Sequence, residues 1–536
     1  MSIHTQRYKS DEEKIENNKE EKTAAQVHAF YFPLISRIVC GMGQLDREHW
    51  FRDGSTSSLA TRKGSPFRRD DDYPECKRRG YSGTELPQDI WWHIHFLMTM
   101  RDAARAACVS RSFLCSWRCY PNLVFNTKII GMSRDACFTQ RVDDILKKHS
   151  GIGVKTFDLD FTYCCKQPKA YNYLHRWLQI AVTPGIEKLA LVMPGNKDVS
   201  FLCPVLSDEN GSSVRHLHLA HCAFRPTESL GCLRNLTVLH LNWVRMTGDE
   251  LGCLLSSCVA LERLELRSCH EITYLKIPSW LQRLSYLQVL NCDKLRLLRN
   301  EAPNIHSIHL KGRQVEVSLG EALRLKNLDM TGYRVLRYVR EELPYSVPNL
   351  ETISICSRSE LVDTTMAFSP SSKFLHLKHV SICIIGTCDY FSLVSLLDAA
   401  PLLETFDLHL VTFRNSMGEL LSEDPSQHLR RRVGYRHDKL ERVKISRFYS
   451  SKSLVELTSH ILENSASLEC LRLDTTDGRG IKCSGERSNK CAHLDSPTEA
   501  RKAVLVIREH IKRKVPSRVK LQVVEPCKRC YPVELY

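Results

Sequence analysis

A short pattern of apolar residues recurs along most of the chain: two apolar positions separated by two variable residues, then a third apolar position after one more variable residue. Clear copies are VRHLHL at 214–219, LTVLHL at 236–241 and LERLEL at 261–266. The last two apolar positions lie two residues apart, so they share one face of a strand, and the residue between them points to the other face. Each copy therefore predicts one short β-strand with one buried face.

The spacing of these copies predicts the fold. There are thirteen of them, separated by about 26 residues on average, which lies within the range of leucine-rich repeats. One short strand cannot bury its apolar face alone, so the copies must stack. We predict an α/β leucine-rich-repeat horseshoe, with a parallel sheet on the concave side and helices and turns on the convex side. The copies begin at Val154, Ile186, Val214, Leu236, Leu261, Leu284, Ile305, Leu325, Leu350, Leu377, Leu403, Leu440 and Leu468.

The connections between copies predict the convex side. Apolar residues at helical spacing predict helices within 249–264, 391–406 and 453–471. The two steps from 284 to 325 are only 21 and 20 residues long, which predicts tighter turns there. The long step from 403 to 440 predicts an inserted surface loop. Cysteines stand eight residues after three of the copy starts, as expected of small buried residues: Cys222, Cys269 and Cys292.

The segment before the repeats predicts three short helices. The first follows Pro87, the second is expected to be capped by Asp102, and the third contains Phe113 and Trp117. About 40 residues cannot hide this many apolar side chains in a core of their own. The segment should therefore dock on another protein.

This segment resembles an F-box. The resemblance is carried by Leu86-Pro87, Asp89-Ile90, Ile94, Leu97, Arg101-Asp102, Ala104, Val109-Ser110-Arg111, Phe113 and Trp117. Thr99 stands where that family usually has proline, and Trp91-Trp92 replace smaller residues. An F-box followed by leucine-rich repeats is the layout of ubiquitin-ligase substrate receptors. The resemblance implies binding to a Skp-type adaptor and a cullin ligase core through Leu86, Pro87, Ile90, Ile94, Leu97, Val109, Ser110, Phe113 and Trp117.

The end of the chain resembles a second module of that group. Residues 440–476 and the closing stretch 501–530 are similar to the FBD module of plant F-box/leucine-rich-repeat proteins. The predicted domains are a disordered N-terminal arm (1–81), an F-box (82–125), a linker (126–153), leucine-rich repeats (154–436) and an FBD-like module (437–536) that continues the repeat, with a variable loop at about 477–497.

Composition narrows the class of protein. The 536 residues include 23 cysteines and carry a formal net charge of +15. The N-terminus lacks the apolar run of a secretory signal, and the sequence has no stretch suited to spanning a bilayer. We therefore expect a cytoplasmic or nuclear protein with reduced thiols and no membrane partner. The basic residues are scattered rather than clustered with aromatic residues, so we expect no nucleic-acid partner either.

Motifs for catalysis are missing from the sequence. It has no Gly-rich phosphate loop and no nucleophile elbow. His270-Glu271 begins a zinc-protease pattern, but Tyr274 stands where the second histidine is required. The pair Cys527 and Cys530, with Cys483, Cys491 or His493, leaves the question of a zinc site open. We predict a non-catalytic protein without a cofactor or metal.

The residues between the apolar ladder positions should form the concave surface. We predict that this surface binds a target protein through His216, His218, His240, Trp243, Arg263, Glu265, Arg267 and His309. The predicted function is therefore substrate recognition within an SCF-type ubiquitin ligase. The alternative is a leucine-rich-repeat interaction scaffold that acts outside any ligase.

Overall fold

The fold is seen in a computed structural model. It describes residues 87–527, except for 110, 131–134, 163–169, 196–199, 202, 207, 227–232, 314, 321, 359–372, 387, 412–428, 431–434 and 477–496. The predicted N-terminal arm, Leu86, Ser110 and Cys530 lie outside the described residues. The chain divides into two compact units. The first contains the described residues up to Asn122 together with Lys148–Ser150, and the second contains Leu123–Lys147 and the residues from Gly151 onward.

The first unit is built from three short helices, as predicted. They are α1 (Gln88–Leu97), α2 (Met100–Ala107) and α3 (Arg111–Trp117). The prediction that Asp102 caps α2 is wrong, because the cap is Thr99. The Thr99 hydroxyl accepts a hydrogen bond from the Asp102 backbone N–H at 3.3 Å and donates one to the Asp102 carboxylate at 2.7 Å. A threonine at the position of the family's proline therefore begins the helix by side-chain capping.

The core of the first unit is small. Its buried residues include Met100, Ala103, Phe113 and Tyr120. The Tyr120 hydroxyl donates a hydrogen bond to the Met98 carbonyl at 2.9 Å, which ties the end of this unit to the turn between α1 and α2.

The second unit contains a fifteen-stranded sheet whose strand order follows the chain, and three further strands, β7 (Tyr274–Ile277), β9 (Leu297–Asn300) and β11 (Glu316–Ser318), lie outside this sheet. Each of the thirteen predicted copies forms one strand of this sheet, beginning two residues after the copy start, and the pairs from β2 to β18 are parallel. The strands are β1 (Asn122–Phe125), β2 (Thr156–Asp160), β3 (Lys188–Val192), β4 (His216–Ala220), β5 (Val238–Asn242), β6 (Arg263–Arg267), β8 (Tyr286–Leu290), β10 (Ser307–Lys311), β12 (Asn327–Tyr333), β13 (Thr352–Arg358), β14 (His379–Ile385), β15 (Thr405–Val411), β16 (Arg442–Ser446), β17 (Cys470–Asp474) and β18 (Lys520–Val524).

The apolar ladder forms the core of the second unit. All three ladder positions in all thirteen copies are at most 5% exposed. The three cysteines that follow the copy starts, Cys222, Cys269 and Cys292, are buried and not in disulfides, as predicted. The parallel leucine-rich-repeat sheet predicted from the sequence is thereby confirmed.

The other side of the sheet carries helices where the connections are long. Those predicted within 249–264, 391–406 and 453–471 are confirmed. The short connections between 284 and 325 contain no helix among their described residues. Instead these connections contain β9 (Leu297–Asn300) and β11 (Glu316–Ser318), which form a second, three-stranded sheet with β7 (Tyr274–Ile277) of the preceding connection. The helices of this unit are α4 (Thr127–Ile130), α5 (Asp135–Lys148), α6 (Ala170–Ala181), α7 (Asp208–Ser212), α8 (Gly248–Ser257), α9 (Val335–Glu341), α10 (Leu343–Ser346), α11 (Val394–Ala399), α12 (Lys452–Asn464) and α13 (Pro497–Val506).

The stretch predicted as a linker, 126–153, carries helix α5. Phe138, Val142 and Leu146 of this helix are buried, and the Phe138 ring lies edge-on to Phe161 of the first repeat at 5.9 Å. The buried Asp143 carboxylate accepts a hydrogen bond from the Trp177 indole at 3.0 Å and pairs with Lys147 and Arg176. Packing thus adds this helix to the start of the repeats.

Short helical turns complete the fold. They lie at Cys203–Leu206, Leu233–Asn235, Tyr390–Leu393, Ile507–Ile511 and Lys512–Lys514. None of the helices within the described part of the chain is both long and apolar enough to cross a bilayer.

Candidate functional site

The three helices of the first unit expose aliphatic side chains. Ile90, Leu97, Val109 and Leu114 are exposed by 44%, 48%, 44% and 40%. Three of these are predicted adaptor-binding residues, and we call the four the aliphatic patch. The prediction did not include Leu114, which lies about 100° around the short helix from the buried Phe113 and therefore does not share its face.

The other predicted adaptor-binding residues differ in accessibility. Pro87 is exposed, whereas Ile94 and Trp117 are half-buried. Phe113, a residue of α3, is buried in the unit's own core. The resemblance to an F-box gave these residues as a group, and a sequence resemblance does not tell which of them the packing of the unit's own helices covers.

The polar face of the sheet in the second unit brings most of the predicted target-binding residues into rows. Strand register aligns His216 with Val238, Arg263 and Tyr286 in one row. A second row joins His218, His240, Glu265, Gln288 and His309, and it continues to Asp329. Because neighbouring parallel strands are about 4.8 Å apart, the side chains in a row lie side by side.

Glu265 is the centre of a polar network on this face. Its nearly buried carboxylate accepts a hydrogen bond from Arg263 at 3.2 Å and pairs with Arg267 at 3.5 Å. Arg267 also donates two hydrogen bonds to the Gln288 carbonyl oxygen, at 2.6 and 3.0 Å. The Gln288 amide in turn donates to the Tyr286 hydroxyl at 3.0 Å. Two arginines on the face are therefore held in fixed positions by one carboxylate and one amide.

Aromatic contacts extend this network along the rows. The Arg263 guanidinium lies 4.2 Å from the centre of the Tyr286 ring, and Tyr286 contacts His309 at 5.2 Å. His309 approaches the Asp329 carboxylate at 3.6 Å. Sequence reasoning missed Tyr286, whose position two residues after a copy start places it on the same polar face.

Three histidines on this face, His216, His218 and His240, are neutral at pH 7. Burial, with the nearby His240 and Lys188 charges, lowers the pKa of His218 to about 4. Burial also lowers the pKa of His240, and burial together with Lys188 lowers that of His216. The Nε2 atom of His218 is buried and has no hydrogen-bond partner among the described residues. The surface therefore offers neutral imidazoles for hydrogen bonding and stacking beside two charged guanidinium groups.

Trp243 lies at the end of β5, where the chain leaves the sheet. It has a positive φ of 54° and is 50% exposed. Its ring stacks on His221 at 5.9 Å and meets His270 edge-on at 5.0 Å. An exposed tryptophan between two imidazoles is the kind of side chain that anchors protein interfaces.

Most of the chain matches a known family of leucine-rich-repeat domains. The family model described as "At1g61320/AtMIF1, LRR domain" matches residues 145–528, which is more than half of the chain. The chain belongs to this leucine-rich-repeat family. The match begins in the last turn of α5 and ends after β18, so it includes all thirteen copies of the repeat.

Relatives of this chain in Arabidopsis thaliana are named as F-box proteins. The F-box/FBD/LRR-repeat protein At1g13570 is 24% identical over 255 residues, covering 47% of this chain and 53% of that protein. The FBD-associated F-box protein At5g56380 is 23% identical over 361 residues, covering 61% and 78%. The chain thus spans about half the length of the first of these relatives. The predicted resemblance to F-box/leucine-rich-repeat proteins with an FBD module is confirmed.

Two solved structures are similar to this chain. An internalin (inlF) from Listeria monocytogenes has a TM-score of 0.32 and 12% identity, and the match covers 65% of this chain and 96% of that one. The LRR protein LIC12759 from Leptospira interrogans has a TM-score of 0.27 and 12% identity, with 75% and 94% covered.

Proposed function

We propose that the chain is the substrate-recognition subunit of an SCF-type ubiquitin ligase. In this role the three-helix unit docks on a Skp-type adaptor, and the repeats hold a target protein. The observation that supports it best is the aliphatic patch of Ile90, Leu97, Val109 and Leu114 on the three short helices that the structure describes in this unit.

The energetics of that patch favour a partner. Fully burying an exposed aliphatic side chain contributes about 1.5–3 kcal/mol. These four are already about half covered, so a partner would gain roughly half of that for each one, about 0.7–1.5 kcal/mol, before the entropy of association is subtracted. Among the described residues of this unit, only Met100, Ala103, Phe113 and Tyr120 are buried apolar residues, so the described core does not cover the four side chains of the patch. A protein surface with complementary apolar grooves would bury them.

The repeats would supply the target-binding surface. We place the target on the polar sheet face, between the network around Glu265 and the exposed ring of Trp243. A target segment with carboxylate or carbonyl groups would pair with Arg263 and Arg267, and its apolar or planar groups would stack on Trp243. The proposed role is non-catalytic, since the ligase would accelerate ubiquitin transfer by holding the target close to the charged conjugating enzyme.

An adaptor-binding experiment tests the first half of the proposal. The full chain and the variant Leu97→Asp are each co-expressed with a tagged Skp-type adaptor, and the amount that co-purifies is measured. A buried carboxylate at the interface should abolish binding, whereas Leu505→Asp, on an equally exposed leucine of α13 in the second unit, should leave it unchanged.

The result also separates the alternatives. If the unaltered chain fails to bind the adaptor, the ligase role is contradicted, and a scaffold acting outside a ligase becomes the better explanation. If Leu97→Asp binds as well as the unaltered chain, the aliphatic patch is not the docking surface.

Proximity labelling tests the second half. The set of labelled proteins is compared between the full chain, Trp243→Ala and Trp280→Ala. Trp280 is a matched control, because it is exposed to the same extent, 51%, but lies in the turn between β7 and β8, away from the polar face. Labelling of a target that depends on Trp243 and not on Trp280 would support the sheet face as the binding surface, and equal dependence on both would contradict it.

A further inference from the structure

Three potential metal ligands meet on the helical side of the last repeats. They are Asp398 near the end of α11, His437 in the segment before β16, and His460 in α12. Each offers one ligand atom, and the three atoms lie within 4.8 Å of one another. These residues are distant in the sequence and belong to neighbouring repeats, so the fold itself brings them together.

The His437 side chain is buried, and its ring nitrogens make no hydrogen bond with the described residues. The residue is 2% exposed, and both ring nitrogens are buried and lack a hydrogen-bond partner among the described residues. Its Nε2 atom lies 3.8 Å from Asp398 Oδ1, which is too long for a hydrogen bond. A buried imidazole in this state is costly unless another group binds to it.

The surrounding contacts fix the three residues in place. The His437 backbone N–H donates to the Asn464 carbonyl at 2.9 Å, which holds this segment against the end of α12. Asp398 Oδ1 accepts a hydrogen bond from the Tyr435 backbone N–H at 3.3 Å. The backbone of the His437 segment is thus attached to both of the other elements that supply ligands.

A neighbouring carboxylate is already occupied. Glu456 lies one helical turn before His460, but it accepts hydrogen bonds from the Arg430 guanidinium at 2.7 and 2.9 Å, and Arg430 also pairs with Asp389. Glu456 is therefore neutralised by Arg430. The side chains available as metal ligands here are therefore the imidazoles of His437 and His460 and the carboxylate of Asp398.

Two imidazoles and one carboxylate are a common ligand set for zinc, with water as the fourth ligand. Ligand atoms around a tetrahedral zinc ion are roughly 3.3 Å apart, given Zn–N distances of about 2.0–2.1 Å, so the three side chains would close slightly on the ion. The Asp398 side chain is 20% exposed, which gives the ion a route from solvent. We propose that Asp398, His437 and His460 bind one zinc ion, which links the helical sides of the last repeats.

Metal titration of the full chain tests this proposal. The protein is stripped with a chelator, and binding of Zn²⁺ is measured by calorimetry for the unaltered chain, Asp398→Asn and His460→Gln. Substituting a residue that hydrogen-bonds to a zinc ligand typically lowers the affinity for zinc by about 10–100-fold. Loss of a ligand itself should therefore lower the affinity of this site for Zn²⁺ by about 100-fold or more. The variants Cys527→Ser and His379→Gln serve as controls and should leave this site unchanged.

Substitution by Co²⁺ identifies the ligand atoms. The proposal expects a visible spectrum of tetrahedral Co²⁺ with nitrogen and oxygen ligands that disappears in Asp398→Asn, a variant at a partly exposed position that should keep the fold. If Asp398→Asn and His460→Gln bind the same number of Zn²⁺ ions with the same affinity as the unaltered chain, the proposal is overturned. It is also overturned if the Co²⁺ spectrum shows only thiolate ligands, which would assign the bound metal to cysteines.

Discussion

The imidazole rings of His218 and His240 are stacked on adjacent strands, with their centres 4.3 Å apart and their planes 7° from parallel. Register in the parallel sheet places the two residues directly side by side. Two protonated imidazoles at this distance would repel each other, and burial disfavours the charge further. The pair therefore couples the stability of the fold to pH.

The first prediction concerns acid sensitivity. The unfolded chain binds a proton at His218 near pH 6.5, whereas the folded chain does so only near pH 4. Between these values the unfolded state holds more protons, so stability falls as the pH is lowered. For His218 the loss between pH 7 and pH 5 should be about 1–2 kcal/mol.

Urea denaturation at the two pH values measures this loss. In His218→Gln the difference between pH 7 and pH 5 should shrink, while in the control His306→Gln, at an exposed position, it should not change. An identical pH dependence in the unaltered chain and in His218→Gln would show that this histidine does not contribute.

The second prediction concerns the apolar ladder. Leu264 is fully buried between the strands of neighbouring repeats, so Leu264→Ala should leave a cavity and lower the free energy of unfolding by about 2–5 kcal/mol. Leu323→Ala, at a leucine that is 54% exposed, should change it by less than about 0.5 kcal/mol. Chemical denaturation followed by circular dichroism compares the two, and equal effects would contradict the ladder as the main source of stability.

The third prediction concerns the cap of α2. Thr99→Ala removes the hydroxyl that accepts from the Asp102 N–H, which should cost about 1 kcal/mol. That corresponds to roughly fivefold faster hydrogen exchange in the first turn of the helix. Thr99→Ser keeps the hydroxyl and should exchange like the unaltered chain, so faster exchange in the serine variant would argue against capping as the cause.

The fourth prediction concerns the buried carboxylate of Glu456. Its side chain has no exposed surface and depends on Arg430 for its charge partner. Arg430→Gln should destabilise the protein by about 2–3 kcal/mol, less than the 3–5 kcal/mol of a fully buried pair because Arg430 is half exposed. Arg436→Gln, at a pair exposed on both sides, should cost about 0–1 kcal/mol. Thermal unfolding distinguishes the two, and a small effect of Arg430→Gln would mean that water replaces the guanidinium.

The repeats were predictable because their signal is periodic. An apolar residue at a copy start such as Leu261, followed by Leu264 and Leu266, defines a strand, its buried face and its register with the next copy. The three helices of the first unit were also predictable from apolar spacing. The cap was not, because Thr99 and Asp102 both suit a helix start, and backbone geometry decides between them.

The cluster of potential metal ligands could not be predicted from the sequence. His437 and His460 are separated by a strand and most of a helix, and Asp398 belongs to an earlier repeat, so no spacing rule connects them. Tyr286 was missed for a different reason. Its position was expected to face solvent, but the sequence does not show that Arg263 lies across its ring. The copy starts give the register between strands, but the direction that each long side chain takes becomes visible only in the folded structure.

A left-handed backbone at Trp243 has a consequence for how this surface can change. For a residue other than glycine this conformation costs about 1–2 kcal/mol, and the Trp243 N–H offsets part of it by donating to the Arg267 carbonyl of the next repeat at 2.8 Å. His221 and Ser268 adopt the same conformation at the corresponding turns. The position of the indole is therefore fixed by the backbone of the next repeat. New binding preferences can arise by substituting single side chains in these turns. An insertion or deletion in a turn would also shift the backbone of the neighbouring repeat.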